Sequence, residues 1–182
     1  MMTDVPVLVV TFGNSNLSHR AVASLLPQTP YLYIIDNASW DNTQDWLRGI
    51  SLPTVATTLL SERIPLATAW NLGISYLFAL YPDSDHVLVT NNDILVLPNA
   101  LSLLRSLDHA FVTGVGVRNE SLRAAIQGSK TAGIPTDLSS RRPHPDFSCF
   151  MIRRDTWREV GPFDENFKGA FCEDLDYHIR MH

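Results

Sequence analysis

Three polar residues that could bind a ligand or take part in a reaction follow the apolar run Val87 to Thr90. They are Asn91, Asn92 and Asp93. An apolar run that ends in polar side chains is typical of a buried parallel strand with those side chains at its carboxyl end. Open α/β sheets bind ligands at that edge. The carboxylate of Asp93 is a hard oxygen ligand, which suits Mg²⁺ or Mn²⁺ bound beside a diphosphate. The same three residues could instead form an Asx turn or a helix cap.

A second group of acids lies near the end of the chain, where Glu173, Asp174 and Asp176 occupy three of four consecutive positions. Carboxylates that converge in a cleft repel one another, and this repulsion raises their pKa values. The alternative is a helix start, because acids complement the macrodipole at a helix N-terminus. The two interpretations are compatible, since an acidic helix start can also face a cleft.

Composition indicates one ordinary globular domain over residues 1–182. Of these residues 45% are hydrophobic and 18% are charged, which suits a single domain with its own core. A net charge of −5 and the lack of a long basic run argue against a nucleic-acid partner. Cys149 and Cys172 match neither a metal-ligand spacing nor a disulfide scaffold, so a reducing, cytoplasmic location is expected. No apolar run reaches the roughly 18 residues of a membrane span.

Apolar runs alternate with segments of helical periodicity, which predicts an α/β fold with a mostly parallel sheet flanked by helices. The predicted strands are 5–11, 31–36, 54–60, 87–90, 111–117 and 147–153. The predicted helices are 16–26, 42–50, 66–80, one starting at Pro98, 154–160 and one from Glu173 onward. Residues 118–146 are rich in Gly, Pro and Ser and are expected to form a flexible loop that closes over a ligand.

Polar segments fall at the predicted strand ends and at the last helix start, over residues 11–14, 36–39, 91–93 and 173–174. In a doubly wound sheet such segments converge on one face. No GxGxxG follows the first strand and no GxxxxGK[ST] occurs in the sequence. The usual dinucleotide-binding fold and the P-loop are therefore disfavoured.

Several segments carry a family resemblance through their order and spacing. They are Val9–Phe12, Ile34–Thr43 (IIDNASWDNT), Leu66–Ile74, Asn91–Asp93, Phe150–Arg154 with Val160–Glu165, and Phe171–Asp176. Together they resemble the family 2 glycosyltransferases of the GT-A fold, close to the rhamnosyltransferase-like branch. The resemblance covers nearly the whole chain, with residues 91–93 in the place of the DXD motif and 173–176 in the place of E-D-x-D.

The chain departs from the family pattern in three places. Asn91 stands where the DXD motif has its first Asp, so metal binding would depend mainly on Asp93. Arg63 and Pro65 stand where the family often has Asn and Gly. The chain ends at His182, soon after the acidic motif, which suggests either a minimal enzyme or a truncated one.

The resemblance implies an inverting transfer of a sugar from a nucleotide-diphosphate sugar, expected to be a UDP-sugar, to a hydroxyl acceptor such as a glycan, with Mn²⁺ or Mg²⁺. It implies that Asp93 binds the metal and the diphosphate, that Asp174 is the general base and that Glu173 supports Asp174 or binds the acceptor. The donor would further contact Thr11, Phe12, Asp36, Asn37, Arg63, Asn71, Asn91 and Asn92. Within that set, Asp36 would bond the base and Phe12 would pack on the nucleoside, whereas Arg63 could equally be a solvated surface residue. His178 is a candidate further metal ligand, with a helix-surface histidine as its alternative.

Two other classes of protein remain open. A nucleotidyltransferase would also use a parallel sheet and a metal-bound diphosphate, but it would carry a Gly-rich, basic loop after the first strand. Residues 13–16 contain one Gly and no Lys. A nucleotide-sugar-binding module that has lost catalysis is the second alternative, because the DXD motif is reduced and the chain is short.

The aromatic residues are expected to be structural. Trp40, Trp46, Trp70 and Trp157 are expected to pack in the core or against helices rather than to bind sugars. Asp41 is expected to cap the helix that begins near Asn42.

Overall fold

The structure is a computed structural model that describes residues 3–29, 31–114, 147–168 and 171–182. The strands are β1 (Val7–Thr11), β2 (Leu32–Asp36), β3 (Val55–Leu59), β4 (His86–Asn91), β5 (Phe111–Thr113) and β6 (Cys149–Arg153). The helices are α1 (Ser15–Leu25), α2 (Thr43–Arg48), α3 (Leu66–Leu80), α4 (Ala100–Ser106), α5 (Arg154–Val160) and α6 (Glu173–Arg180). The loop predicted over residues 118–146 lies outside the described residues.

The strands form one sheet in the order β3-β2-β1-β4-β6-β5. Strands β1 to β4 run parallel to one another, while β6 runs antiparallel to both of its neighbours, β4 and β5. The prediction of a mostly parallel α/β sheet flanked by helices is confirmed. The reversal of β6 was not predicted, since the direction of a strand depends on the path of the chain before it and not on its apolar pattern.

The boundaries of some elements agree with the sequence pattern, and those of others do not. Helix α3 has the predicted bounds, Leu66–Leu80. Pro98 was predicted to lie in the first turn of a helix, but α4 begins at Ala100, after Asn99 adopts a left-handed conformation with φ 66°. Strand β5 ends at Thr113, and residues 115–117 of its predicted extension lie outside the described residues.

Helices cover both faces of the sheet. On one face α3 and α6 pack around a cluster that includes Trp70, Phe150, Phe163 and Tyr177. On the other face α1, α2 and α4 contribute Val22, Leu25, Leu47 and Leu101 to a second core. Because both faces are buried, a ligand can reach the strands of this sheet at its edges and strand ends.

The helices in the described part of the chain include none that is long and apolar enough to cross a membrane.

Gly73 sets the distance between α3 and the sheet. A Cβ atom at this position would lie 2.4 Å from Cδ1 and Cδ2 of Leu8, a fully buried residue of β1. We expect Gly73→Ala to lower the free energy of unfolding by about 1–3 kcal/mol, because overpacking outweighs the helix propensity that alanine gains. Urea denaturation measures the change.

The matched control is the double variant Leu8→Ala with Gly73→Ala. Its loss of stability should be smaller than the sum of the two single losses, because the smaller side chain at position 8 removes the clash. Additive losses would contradict the close-packing explanation.

Candidate active site

The candidate site lies where the parallel strands end. Chain order reverses between β1 and β4, which are neighbours in the sheet although β2 and β3 come between them in the sequence. Thr11 and Asp36 are opposite each other in register at the ends of β1 and β2, and Asn91 ends β4. The loops after β1, β2, β3 and β4 therefore meet at the switch point where doubly wound sheets bind ligands.

Asp36 is the buried centre of this edge, with none of its surface exposed. Its Oδ2 atom accepts hydrogen bonds from the hydroxyls of Thr11 (2.8 Å) and Ser39. Its Oδ1 atom accepts bonds from the backbone N–H of Ser39 (3.0 Å) and from Nε2 of Gln44 (2.8 Å). These four bonds offset the cost of burying the carboxylate and join the ends of β1 and β2 to α2. The predicted contact between Asp36 and a nucleobase stays a prediction.

Two amides predicted to contact the donor hold loops together in this structure. Asn37 donates to the carbonyl of Ile64 and accepts from its N–H, both at 2.9 Å. Asn71 donates to the carbonyl of Phe163 (2.9 Å) and to Glu165 (2.8 Å), and it accepts from the Phe163 N–H. The bonds of Asn71 thus join two segments that resemble separate family motifs. A further contact of either amide with the donor stays a prediction.

The three residues at the end of β4 have different environments. Asn92 donates to the carbonyl of Gly13 (2.9 Å) and to the hydroxyl of Ser18 (2.8 Å), so it ties β4 to α1. Asn91 is half-buried and Asp93 is exposed. Within the described residues the Asp93 carboxylate makes no hydrogen bond or ion pair, so it is available to a ligand.

The described residues contain no group of three or more His, Cys, Asp or Glu side chains that could hold a metal ion. A single exposed carboxylate suits a magnesium-like ion that takes its other ligands from water and phosphate oxygens. Asp93 fits that donor set. His178 lies on α6 with its ring edge-on to that of His182 at 4.8 Å, and its role as a metal ligand stays a prediction.

Glu173 and Asp174 begin α6 and differ in exposure. Glu173 is 4% exposed, and its Oε2 atom has no hydrogen-bond partner among the described residues. Burial raises the pKa of Glu173; its own backbone N–H opposes this effect and the charge of Asp174 adds to it. Asp174 is half-buried and accepts the N–H of Leu175 at 2.8 Å. Helix α6 thus begins with a carboxyl buried from solvent, Glu173, next to a more accessible one, Asp174.

Tyr177 anchors α6. Its ring stacks on Phe163 at 4.0 Å, and its hydroxyl donates to the carbonyl of Gly161 at 3.1 Å. A longer ring contact, 6.4 Å, reaches Phe147 just before β6. Because Cys149 at the start of β6 pairs with Thr90 near the end of β4, this contact places α6 towards the end of the sheet where Asn91 lies.

The tryptophans correct one expectation. Trp70 is buried in the first core and Trp157 packs against that core, while Trp46 packs against the second core, as predicted. Trp40 is 73% exposed, so its assignment to the core or to helix packing is wrong. It follows a turn in which Ala38 has a positive φ of 60°, and this turn directs the chain outward from the sheet edge.

Other residues that organise the edge were not predicted as functional. Ser39 accepts the Gly13 N–H at 2.7 Å while it bonds Asp36, and Gln44 also bonds the carbonyl of Leu60. Glu165 joins Asn71 to the hydroxyl of Thr68. Ser39 and Glu165 stand at family-motif positions, whereas Gln44 carries no local signal, because its partners are distant in sequence.

The fold of this chain is similar to that of a solved glycosyltransferase structure. A crystal structure of GalNAc-T7 with UDP, GalNAc and Mn²⁺ is similar to the chain, with a TM-score of 0.67, 15% sequence identity and coverage of 99% of this chain. The chain spans 40% of the length of that protein. No protein-family model and no curated protein sequence matches the chain. The likeness establishes a GT-A-like, Rossmann-type fold, as the motif order predicted.

The network around Asp36 yields a first prediction for this site. In Asp36→Asn one carboxylate oxygen becomes an NH₂ group that faces donors, so we expect a loss of about 2–3 kcal/mol in the free energy of unfolding. Thermal and urea denaturation measure it. Asp45→Asn is the control, because Asp45 forms only an exposed ion pair with Arg48 and should change stability by less than about 1 kcal/mol. Equal effects of the two substitutions would refute a structural role for Asp36.

The burial of Glu173 yields a second prediction. Because its pKa is raised, the folded state holds the proton more tightly than the unfolded chain, whose ordinary value is 4.5. Its contribution to stability is present below that value and is lost as the pH rises through the raised pKa. We expect the neutral variant Glu173→Gln to unfold at a higher temperature than wild type at about pH 7, with no advantage near pH 4.

The exposed Glu159 provides the control, since Glu159→Gln should leave the unfolding temperature unchanged across the same pH range. A Glu173→Gln variant that is less stable than wild type at neutral pH would show that the carboxylate has a stabilising partner.

Proposed function

We propose that this protein is a glycosyltransferase that moves a sugar from a UDP-sugar to a hydroxyl acceptor such as a glycan, with Mn²⁺ or Mg²⁺. The observation that carries the proposal is the GT-A-like fold with an exposed carboxylate at the switch point of its sheet, that of Asp93, which has no bonding partner in the described part of the chain. The similar structure of GalNAc-T7 holds UDP, GalNAc and Mn²⁺. The motif order further supports assignment to family 2, close to its rhamnosyltransferase-like branch.

Asp93 is proposed to hold the metal and, through it, the diphosphate. When bound, the metal would supply Lewis-acid stabilisation of the leaving diphosphate. The protein's part is to keep Asp93 in place, and it does so through Asn92, which bonds both Gly13 and Ser18. Asn91 is half-buried beside Asp93 and is proposed to contact the ribose or the sugar.

Asp174 is proposed to be the general base of an inverting transfer. A base must first reach the proton that it removes, and of the two acids at the start of α6, Asp174 is the more exposed. Glu173 is 4% exposed, and burial raises its pKa. The proposal therefore depends on the accessibility of Asp174 to an acceptor hydroxyl.

The nucleoside is proposed to lie over the ends of β1, β2 and β3. Thr11 and Asp36 shape its floor through their mutual hydrogen bond. Phe12 and Arg63 follow β1 and β3, and the Arg63 guanidinium lies 4.1 Å from the centre of the Phe12 ring. A cation beside an aromatic ring suits either a base or a phosphate oxygen. The cytoplasmic location remains a prediction from the cysteine content.

Product analysis is the experiment that tests the function. Nucleotide sugars are incubated with the protein and Mn²⁺, with and without hydroxyl acceptors. Release of a nucleoside diphosphate together with a glycosylated acceptor supports the proposal. Release of pyrophosphate would identify a nucleotidyltransferase, and binding of a nucleotide sugar without turnover would identify a module that has lost catalysis.

Asp93 gives a prediction for metal dependence. In Asp93→Ala we expect UDP affinity in the presence of Mn²⁺ to fall at least about tenfold, while affinity in chelator stays unchanged. Isothermal titration calorimetry measures both. The control is Asp83→Ala, an exposed acid before β4, at the opposite end of that strand. Retention of the full Mn²⁺ enhancement by Asp93→Ala would remove Asp93 from the metal site.

Asp174 gives a prediction for the chemical step. The amide in Asp174→Asn keeps the shape but cannot accept a proton, so transfer should fall by on the order of 10²-fold or more with donor affinity within a few-fold of wild type. Asp176→Asn is the matched control on the same helical turn, because Asp176 is ion-paired with Arg180.

If Glu173 is the base instead, Glu173→Gln abolishes transfer and Asp174→Asn mainly lowers stability. Transfer rate, UDP affinity and melting temperature of these variants separate the two assignments. Near-normal transfer by Asp174→Asn would end its assignment as base.

A further inference from the structure

Trp40 is a largely exposed aromatic side chain beside the ends of β1 and β2, yet it is held in place. Its ring lies directly on the backbone of Gly13, where a Cβ atom would lie 2.6 Å from the ring. The Gly13 N–H is in turn bonded to Ser39 at 2.7 Å, next to Trp40 in the chain. An indole that rests on a fixed backbone while 73% of its surface faces solvent is a preformed aromatic surface.

Phe12 does not offer an equivalent surface. The Arg63 guanidinium covers one face of its ring at 4.1 Å, and Trp40 contacts the ring in a T-shaped arrangement, with centroids 4.7 Å apart and planes at 78°. Arg63 therefore occupies one face of the Phe12 ring, and Trp40 occupies a further part of its surface. Of these three side chains, Trp40 has the open face that a flat ligand group needs.

The position of Trp40 in the sheet indicates which part of a ligand it meets. Trp40 follows β2, and Asp93 follows β4, with β1 between these two strands. Two strand spacings amount to about 10 Å, a separation comparable to that between the base and the diphosphate of a nucleotide. In doubly wound sheets the first three strands supply the mononucleotide-binding half.

We propose that Trp40 is the stacking platform for the nucleobase of the donor, with Arg63 placed at its rim by Phe12. This inference rests on the proposed function and deepens it by assigning the base-binding surface. Stacking is tolerant of base identity, because every base presents a π-face. Selectivity among bases would then come from backbone groups and from Arg63 rather than from Trp40.

Calorimetry with two probes tests the assignment. The probes are UDP with Mn²⁺ and inorganic pyrophosphate with Mn²⁺, which lacks the base. In Trp40→Ala we expect UDP affinity to fall about tenfold or more and pyrophosphate affinity to stay unchanged, while Trp40→Tyr keeps most of the UDP affinity. Circular dichroism checks that each variant is folded.

Intrinsic fluorescence gives an independent readout. UDP should quench wild type and Trp46→Phe, the control on the neighbouring helix, but not Trp40→Phe. Unchanged UDP affinity in Trp40→Ala, an equal loss for both probes, or an effect confined to the KM of the acceptor would each overturn the proposal.

Failure of the broader function gives a different result. If the wild-type protein binds none of UDP, dTDP, GDP, ADP and CDP with Mn²⁺, both the donor class and the role of Trp40 are overturned. If it binds one of them and Trp40→Ala binds it equally well, only the role of Trp40 is lost.

Discussion

The buried carboxylate of Asp36 is the constraint on which the geometry of the sheet edge depends. A charge without solvent contact must be met by hydrogen-bond donors, and here the donors come from the end of β1, the turn after β2 and helix α2. Satisfying one carboxylate therefore fixes three segments relative to one another. The same turn carries Trp40, and Ser39 also bonds the N–H of Gly13 beneath its ring. The exposed aromatic surface is thus a consequence of the buried charge.

Three amide side chains extend this order to the rest of the edge. Asn37 fixes the loop after β3, Asn92 fixes the loop after β1 against β4, and Asn71 fixes the segment that leads to α6. Each amide presents both a donor and an acceptor, so it can satisfy backbone groups of a loop that has no regular partner. Most of the polar residues at this edge hold loops, which leaves Asp93, Asp174, Trp40 and Arg63 as groups that face outward.

Helix α6 begins with a buried acid, Glu173, and is held in place by the aromatic contacts of Tyr177. Burial of Glu173 disfavours its charged form and leaves Oε2 without a partner among the described residues. Carboxyl groups whose pKa is raised by burial are often found at functional sites. The ring contacts of Tyr177 with Phe163 and its bond to Gly161 stabilise the helix that carries this acid.

The sequence by itself determined the positions of most strands and helices, and it determined that polar residues follow the parallel strands at one edge of the sheet. Apolar runs and helical periodicity are local properties, so the bounds of α3 and the position of β1, β2 and β4 could be read from residue order. The order of the motifs likewise predicted the GT-A-like fold, and the sequence pattern predicted polar residues at the strand ends. Tertiary structure alone decided which of those residues are buried, because exposure depends on partners far away in the chain. Asp36 and Asn37 are buried and bond other segments of the chain, whereas Trp40 is exposed. Strand β6 runs antiparallel to β4 and β5. Each outcome depends on contacts between segments that residue order does not specify.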